Sequence, residues 1–528
     1  MVEETIVAAS ADGGTERRRG RAARTAARAA EPADADRPVR PGQTGGRYRP
    51  LDPPDIAAIH EAALEVLESI GLADPIPSCV AAVTARGGVM GADGRLRFPR
   101  TLIEETLKVA ARGFTLHGRE PAYDMHPSAG RIYFGTAGAA VHIVDPETGR
   151  YRNSELLDLY HSACLVERLE HIHFLQRPLV ARDLSDPDIL DFNTCYACVA
   201  GTAKHVGTSW AKPEHVRQSL EMLHLIAGGE AAWRARPFVS QSNCFVVPPL
   251  KFAEDACACL EAAVEGGMPV LLLAAGQAGA TSPAALAGAV VQEVAEVLAG
   301  LAYVNALKPG HPAIFGTWPF VSDLRTGAMS GGSGEQALLM AACAQMAEFY
   351  GLTGGVCAGM TDSKLPDAQA GYEKGYNYAL VAHSGANLMY EAAGMHASLL
   401  GFSLESLVID NDALGAVNRT VRGIEVDADT LSVAVIRDVC LNGPGHYLGH
   451  AQTLARMQRD YVYPLVGDRK SPKEWVEGGS TDILTRAVAK RAELLAIPHR
   501  AALAPALDAE IRGRFPVRLP ETAVVRGG

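Results

Sequence analysis

Gln176, Thr208, Ser242, Asn243, Gln277, Thr317, Trp318, Thr361, Asp362, Lys364 and Glu391 each end or follow a short apolar run. The set is rich in neutral hydrogen-bonding groups and poor in acid–base pairs. Aromatic residues stand close by: Tyr133 and Phe134, Trp210, Trp318 and Phe320, Tyr372 and Tyr376. A pocket walled by ring faces and carrying few charges suits a quaternary ammonium. Such a cation has no N–H to donate and is held by the negative faces of the rings.

Other chemistries find less support. His446 and His450 are four apart and His171 and His173 two apart, with no Cys or Glu at a ligand spacing, so no metal site is expected. Cys195-x-x-Cys198 and Cys257-x-Cys259 fall in alanine-rich helical patterns and read as buried thiols. Lys364, at the end of the sixth run, could form a Schiff base with a carbonyl substrate, which would make a lyase. A non-catalytic binding protein for small amines is a further alternative.

The elements that must position these residues form a regular series. From Ser154 to about Leu400, helical stretches alternate with the runs HIHFLQ, KHVGTS, PFVSQSN, PVLLLAAG, PAIFGTW, GGVCAGM and NLMYEA. Such alternation specifies a parallel sheet. Seven units, with an eighth strand expected near 446–450, point to an α/β protein, a (β/α)₈ barrel with its reaction centre at the C-terminal ends of the strands. No Gly-x-Gly-x-x-Gly follows an early strand, which weighs against a dinucleotide site.

Residues 1–47 combine an arginine cluster with alanines and prolines and read as a disordered tail. Residues 48–130 read as a small helical cap that starts at Asp52-Pro53, an N-cap followed by proline at the first helical position. The barrel is placed at 131–460 and a C-terminal extension at 461–528. A net charge of −11 argues against a nucleic-acid surface. No uninterrupted apolar run reaches the ~18 residues of a membrane span. Ten cysteines in 528 residues fit a reducing cytoplasm better than a disulfide scaffold.

Several stretches, including YRPLDPPDIAAIHEAALEVLESIG, YFGTAGAAVHIVD, SGGSGEQALLMAACAQMAEFYGL, TDSKLPDAQAGYEK, SLESLVIDND and GPGHYLGHAQTL, resemble the trimethylamine methyltransferase family over about residues 48–500. The resemblance implies a (β/α)₈ barrel that moves a methyl group from a methylated amine to the Co(I) corrinoid of a separate protein. No tightly bound cofactor of the chain's own is then expected, and a homo-oligomer is. The branch acting on trimethylamine carries pyrrolysine in the barrel, whereas VCAGMTDSKLPDAQ, where that residue would fall, holds only standard amino acids. The chain therefore resembles the branch lacking pyrrolysine, whose substrates include glycine betaine and related quaternary amines.

That resemblance makes Asp362, Lys364 and Gln369 of this stretch the catalytic candidates. Tyr133, Phe134, Trp318, Phe320 and Glu391 become candidates for the substrate site. A betaine carboxylate could be met by His383, His446, His450, Lys364 or Arg177, or by backbone amides. His446 is favoured because GPGHY places it in a glycine-flanked loop.

Overall fold

The computed structural model describes residues 37–498 and 503–523. Residues 1–36 of the expected tail lie outside that range, but 37–47 are packed. Val39 is fully buried, the Arg37 guanidinium donates to the carbonyls of Pro121 and Asp124, and Gly45 N donates to Gly130 O at 2.8 Å.

Eight parallel strands form the core: β1 (Tyr133–Phe134), β2 (Leu175–Gln176), β3 (Val206–Thr208), β4 (Val239–Cys244), β5 (Val270–Ala274), β6 (Ala313–Thr317), β7 (Gly354–Cys357) and β8 (Leu388–Tyr390). Each pairs with its neighbour in sequence, and β8 pairs with β1 through Leu388 opposite Tyr133 and Met389 opposite Phe134. A bridge from Gly135 to Phe174 joins β1 to β2 and closes the ring. Glycine is required there, since a Cβ on Gly135 would lie 2.2 Å from the Phe174 ring.

The strands are short and apolar because both faces are covered, as β5 shows with all five residues buried. Eight helices cover the outside: α1 (Leu156–Arg168), α2 (Pro187–Gly201), α3 (Pro213–Ala227), α4 (Glu254–Glu265), α5 (Leu286–Leu307), α6 (Gly334–Tyr350), α7 (Ala368–Ser384) and α8 (Leu404–Arg422). The protein is thus a (β/α)₈ barrel. Its eighth strand is not the expected one. Residues 446–450 form turns before a short helix, because Gly443, Gly445 and Gly449 interrupt any extended run. The strand that completes the ring is β1, in the stretch RIYFGTAGAAVHIVDPETGRYR, which the sequence marks as glycine-broken strands but not as a unit of the barrel series. The barrel itself ends with α8 at Arg422.

Helix α5 is long and apolar enough to cross a membrane, but 83% of its apolar window is buried inside the protein. Its outer face carries the N-terminal helices Pro53–Glu65, Pro77–Thr84 and Arg100–Val109. This region is mixed rather than purely helical. Leu72–Ala73, Val89–Met90 and Arg95–Arg97 build a five-stranded sheet with Val246–Val247 and Lys251–Phe252, which follow β4. The extra strands form because the segment after β4 offers an edge, with Ala73 paired to Lys251.

A bridge between Leu116 and Met125 plugs the end of the barrel where the strands begin. Asp124 there accepts both guanidinium bonds of Arg236, at 2.9 and 2.7 Å, just ahead of β4. At the other end of the chain, helix Ile483–Ala496 packs on α1 and α8, and Phe515 stacks on Phe192 of α2 at 5.1 Å.

Candidate active site

With the base plugged, the open end of the barrel is the one where strands end. A cavity of about 280 Å³ lies there. Its wall takes Gln176 and Arg177 from the end of β2, Ser242, Asn243 and Cys244 from β4, and Leu273 and Ala275 from β5. Trp318 and Phe320 come from the end of β6, Glu391 from the end of β8, and Ala137, Gly138 and Leu399 from the flanking loops.

Two ionisable groups, a carboxyl and a guanidinium, face this one cavity. Glu391 is 1% exposed, and its Oε2 has no hydrogen-bond partner. Burial pushes its carboxyl up to about 8. Its backbone sits at φ +58°, a left-handed conformation that is rare for a side chain of this size. Strain of this kind costs about 1–3 kcal/mol and collects at functional sites. Arg177 has no carboxylate at ion-pair distance among the described residues, and its Nε is unpartnered. Burial lowers its pKa, and an arginine keeps its charge in proteins.

The Trp318 indole forms the adjacent wall. Its Nε1 donates to Gly355 O at 3.1 Å, and its ring lies 5.1 Å from that of Tyr390. The strand β6 and the Gly355 carbonyl therefore fix which ring face meets the cavity. Behind this wall, Glu293 of α5 accepts from Gly276 N at 2.5 Å and holds the turn after β5. Asn243 braces the loop after β3 by donating to Trp210 O at 2.7 Å. The Cys244 thiol faces the cavity, but the enclosing protein pushes it up to about 12, which leaves it a neutral wall group.

Of the residues expected from sequence, the structure brings together Gln176, Arg177, Ser242, Asn243, Trp318, Phe320 and Glu391. The other substrate-site and catalytic candidates lie elsewhere. Tyr133 and Phe134 are buried with their rings against His173, and the Tyr133 hydroxyl accepts from His126 N on the plugged side. His383 is in the last turn of α7, at the base of the barrel, beside Thr420. His446 is exposed in the segment after α8.

Asp362 clamps the rim. Its carboxylate accepts from Ser330 Oγ, Gly332 N and Ser398 Oγ, so it ties together the loops after β6, β7 and β8. Gln369 donates to Glu373 at 2.8 Å, and Glu373 in turn accepts from Asp362 N at 2.8 Å. Lys364 is exposed and donates to Asp362 O at 2.6 Å, so the cavity gives a Schiff base no lysine. Sequence reading missed Cys244, Leu399 and Ser209. Cys244 was within reach, since β4 runs one residue further and keeps the alternation of Ser242.

The fold and this cavity define a (β/α)₈ barrel with a candidate site, of a size and lining suited to a small charged organic molecule, at the C-terminal ends of its strands. The chain belongs to the trimethylamine methyltransferase (MTTB) family, whose model matches residues 17–518. It is 32% identical over 463 residues to a trimethylamine methyltransferase of Methanosarcina mazei, covering 87% of this chain and 92% of that one. It is 30% identical over 474 residues to a glycine betaine methyltransferase of Desulfitobacterium hafniense, covering 89% and 97%. The chain lies equally near both. Among solved structures, dihydropteroate synthase of Vibrio fischeri aligns at 12% identity with a TM-score of 0.35, covering 59% of this chain and all of that one. The enzyme is accordingly a methyltransferase of the corrinoid-dependent methylamine and betaine class.

The Trp318 wall yields a direct expectation. Trp318→Phe keeps a ring face but loses the larger indole and its N–H bond to Gly355. Trp318→Ala should weaken binding of a quaternary ammonium by about 0.5–2 kcal/mol, the range of a partly to fully desolvated cation–π contact, and Trp318→Phe by less. Titration calorimetry on the native chain and both variants reads this. Unchanged affinity beside a lowered melting temperature would make Trp318 a packing residue only.

Proposed function

We propose that this enzyme transfers a methyl group from a quaternary amine bearing a carboxylate, a betaine, to the corrinoid of a separate protein. One observation carries the reading: a single aromatic-walled cavity holds a carboxyl, Glu391, and a guanidinium, Arg177, neither with an ion-pair partner among the described residues and each with a buried polar atom left without a hydrogen bond. Trimethylamine and choline have nothing to offer the second group. The trimethylammonium end would sit among Trp318, Phe320 and Glu391, and the carboxylate on Arg177, which presents a fork matched to it.

The cofactor of the partner protein supplies a strong nucleophile. This chain supplies position and dryness. A quaternary nitrogen leaves as a neutral amine when its C–N bond breaks, so no proton needs to be delivered. A cavity without an acid–base dyad is sufficient for that step. Catalysis is then the alignment of one methyl group and the exclusion of water. All ten cysteines are free, in keeping with the reducing cytoplasm that such a nucleophile requires.

The test is a demethylation screen with reduced corrinoid protein, followed by the absorption change as the corrinoid is methylated. Glycine betaine, proline betaine, carnitine, choline and trimethylamine are compared side by side. Carboxylate-bearing substrates are expected to react, and choline at least tenfold more slowly. Reaction with trimethylamine alone would overturn the proposal.

A further inference from the structure

Residues 424–465, between α8 and the C-terminal helices, form an arm whose side chains have little of the barrel to rest on. Val439 is the only buried residue in it. Its segments Val433–Arg437 and Asp438–Asn442 run on as one short helical stretch. Large apolar side chains point to solvent throughout, with Ile424 87%, Leu448 81% and Leu441 75% exposed. Tyr461 and Tyr463 add to the same face-rich surface. Single exposed apolar residues are ordinary, but a continuous stretch of them marks an interface.

The arm's charges are paired with one another. Arg456 reaches Asp429, Asp460 and Glu425, Arg459 reaches Glu425, and Arg422 reaches Asp460. Residues 424–465 hold three arginines (437, 456, 459) and five acids (425, 427, 429, 438, 460), and Arg419 and Arg422 at the end of α8, which reach Asp460, bring this surface to neutrality. The −11 of the chain therefore lies outside 419–465. Two copies repel each other generally and lose that repulsion here. A contact between identical chains across a two-fold axis needs a surface that complements itself, and an apolar, locally neutral one does so.

The corrinoid protein is a poorer occupant. Helix α8 starts at the cavity end and runs to the base, where Gly423 lies against the Arg47 guanidinium, so the arm is rooted opposite the cavity. That partner must also leave after each transfer, and transient interfaces are smaller and less hydrophobic than permanent ones.

We propose that the arm 424–465 is the seat of a second copy of this chain. The full-length protein and its Leu441→Glu/Leu448→Glu variant are compared by sedimentation velocity at micromolar concentration. Both positions are exposed, and a thermal melt checks that the barrel is intact in each. The native chain should sediment as a dimer or larger, and the variant at half that mass or less with the same melting temperature for the barrel. A native chain with the mass of a single copy would overturn the proposal, as would a variant that keeps its assembly. Loss of methyl transfer to the corrinoid protein with assembly unchanged would instead assign the arm to that partner, and would equally overturn it.

Discussion

Replacing Glu391 with glutamine is expected to weaken betaine binding about 100-fold at pH 8, close to 3 kcal/mol, the lower range for removing one member of a buried ion pair. The loss should fall on KM more than on kcat. The substrate nitrogen is fully positive in the ground state and loses its charge as the methyl group leaves, so the carboxylate favours the bound substrate over the transition state. The same feature helps the product go, because a neutral amine no longer answers Glu391.

The pH dependence follows from the same burial. Glu391 is raised from 4.5 to about 8, so the folded chain binds this proton more tightly than the unfolded chain. Its contribution to stability is whole below about 4.5 and is lost as pH rises through 8. A bound cation prefers the ionised form and acts in the opposite direction. Only the ionised fraction binds it well, so apparent affinity should rise about tenfold per pH unit below pH 8 and then level off. Glu391→Gln should flatten that profile. Calorimetric titrations at pH 6, 7 and 8 read both effects, and a native affinity independent of pH would remove Glu391 from the cation.

The parts of this site that were legible in the sequence are those that follow from the barrel rule. Trp318, Phe320 and Glu391 sit just past strand ends, and a strand end in a barrel faces the mouth. Asp362, Lys364 and Gln369 also follow a strand, but the loop after β7 turns along the rim, held by Glu373 through Thr361 and Asp362. Nothing in the local pattern reveals that turn, since Glu373 acts from the next helix. His383 was chosen for side-chain chemistry and His446 also for its glycine-flanked loop. Their elements carry them to the base and to the arm. The barrel itself was legible because buried parallel strands are apolar throughout, while β1, two residues long and followed by glycine, reads as a strand without showing that it belongs to the barrel.

Arg177 shows what position adds to chemistry. In the sequence it is one of five groups able to meet a carboxylate, and in the structure it alone of the five faces the cavity. Arg177→Met keeps the stem and removes the charge. For glycine betaine the expected loss is about 2–3 kcal/mol, roughly 30- to 150-fold in affinity, as for other charged groups deprived of a buried partner. Choline has the same trimethylammonium end and no carboxylate, so its binding should change little or improve as the repulsion between two cations disappears. The ratio of the two dissociation constants is therefore the informative quantity, because a general disturbance of the cavity would lower both affinities together. Arg177→Lys should recover part of the preference, since a point charge remains without the fork. Equal losses for both ligands would leave Arg177 a wall residue and return the carboxylate to the backbone amides around the mouth.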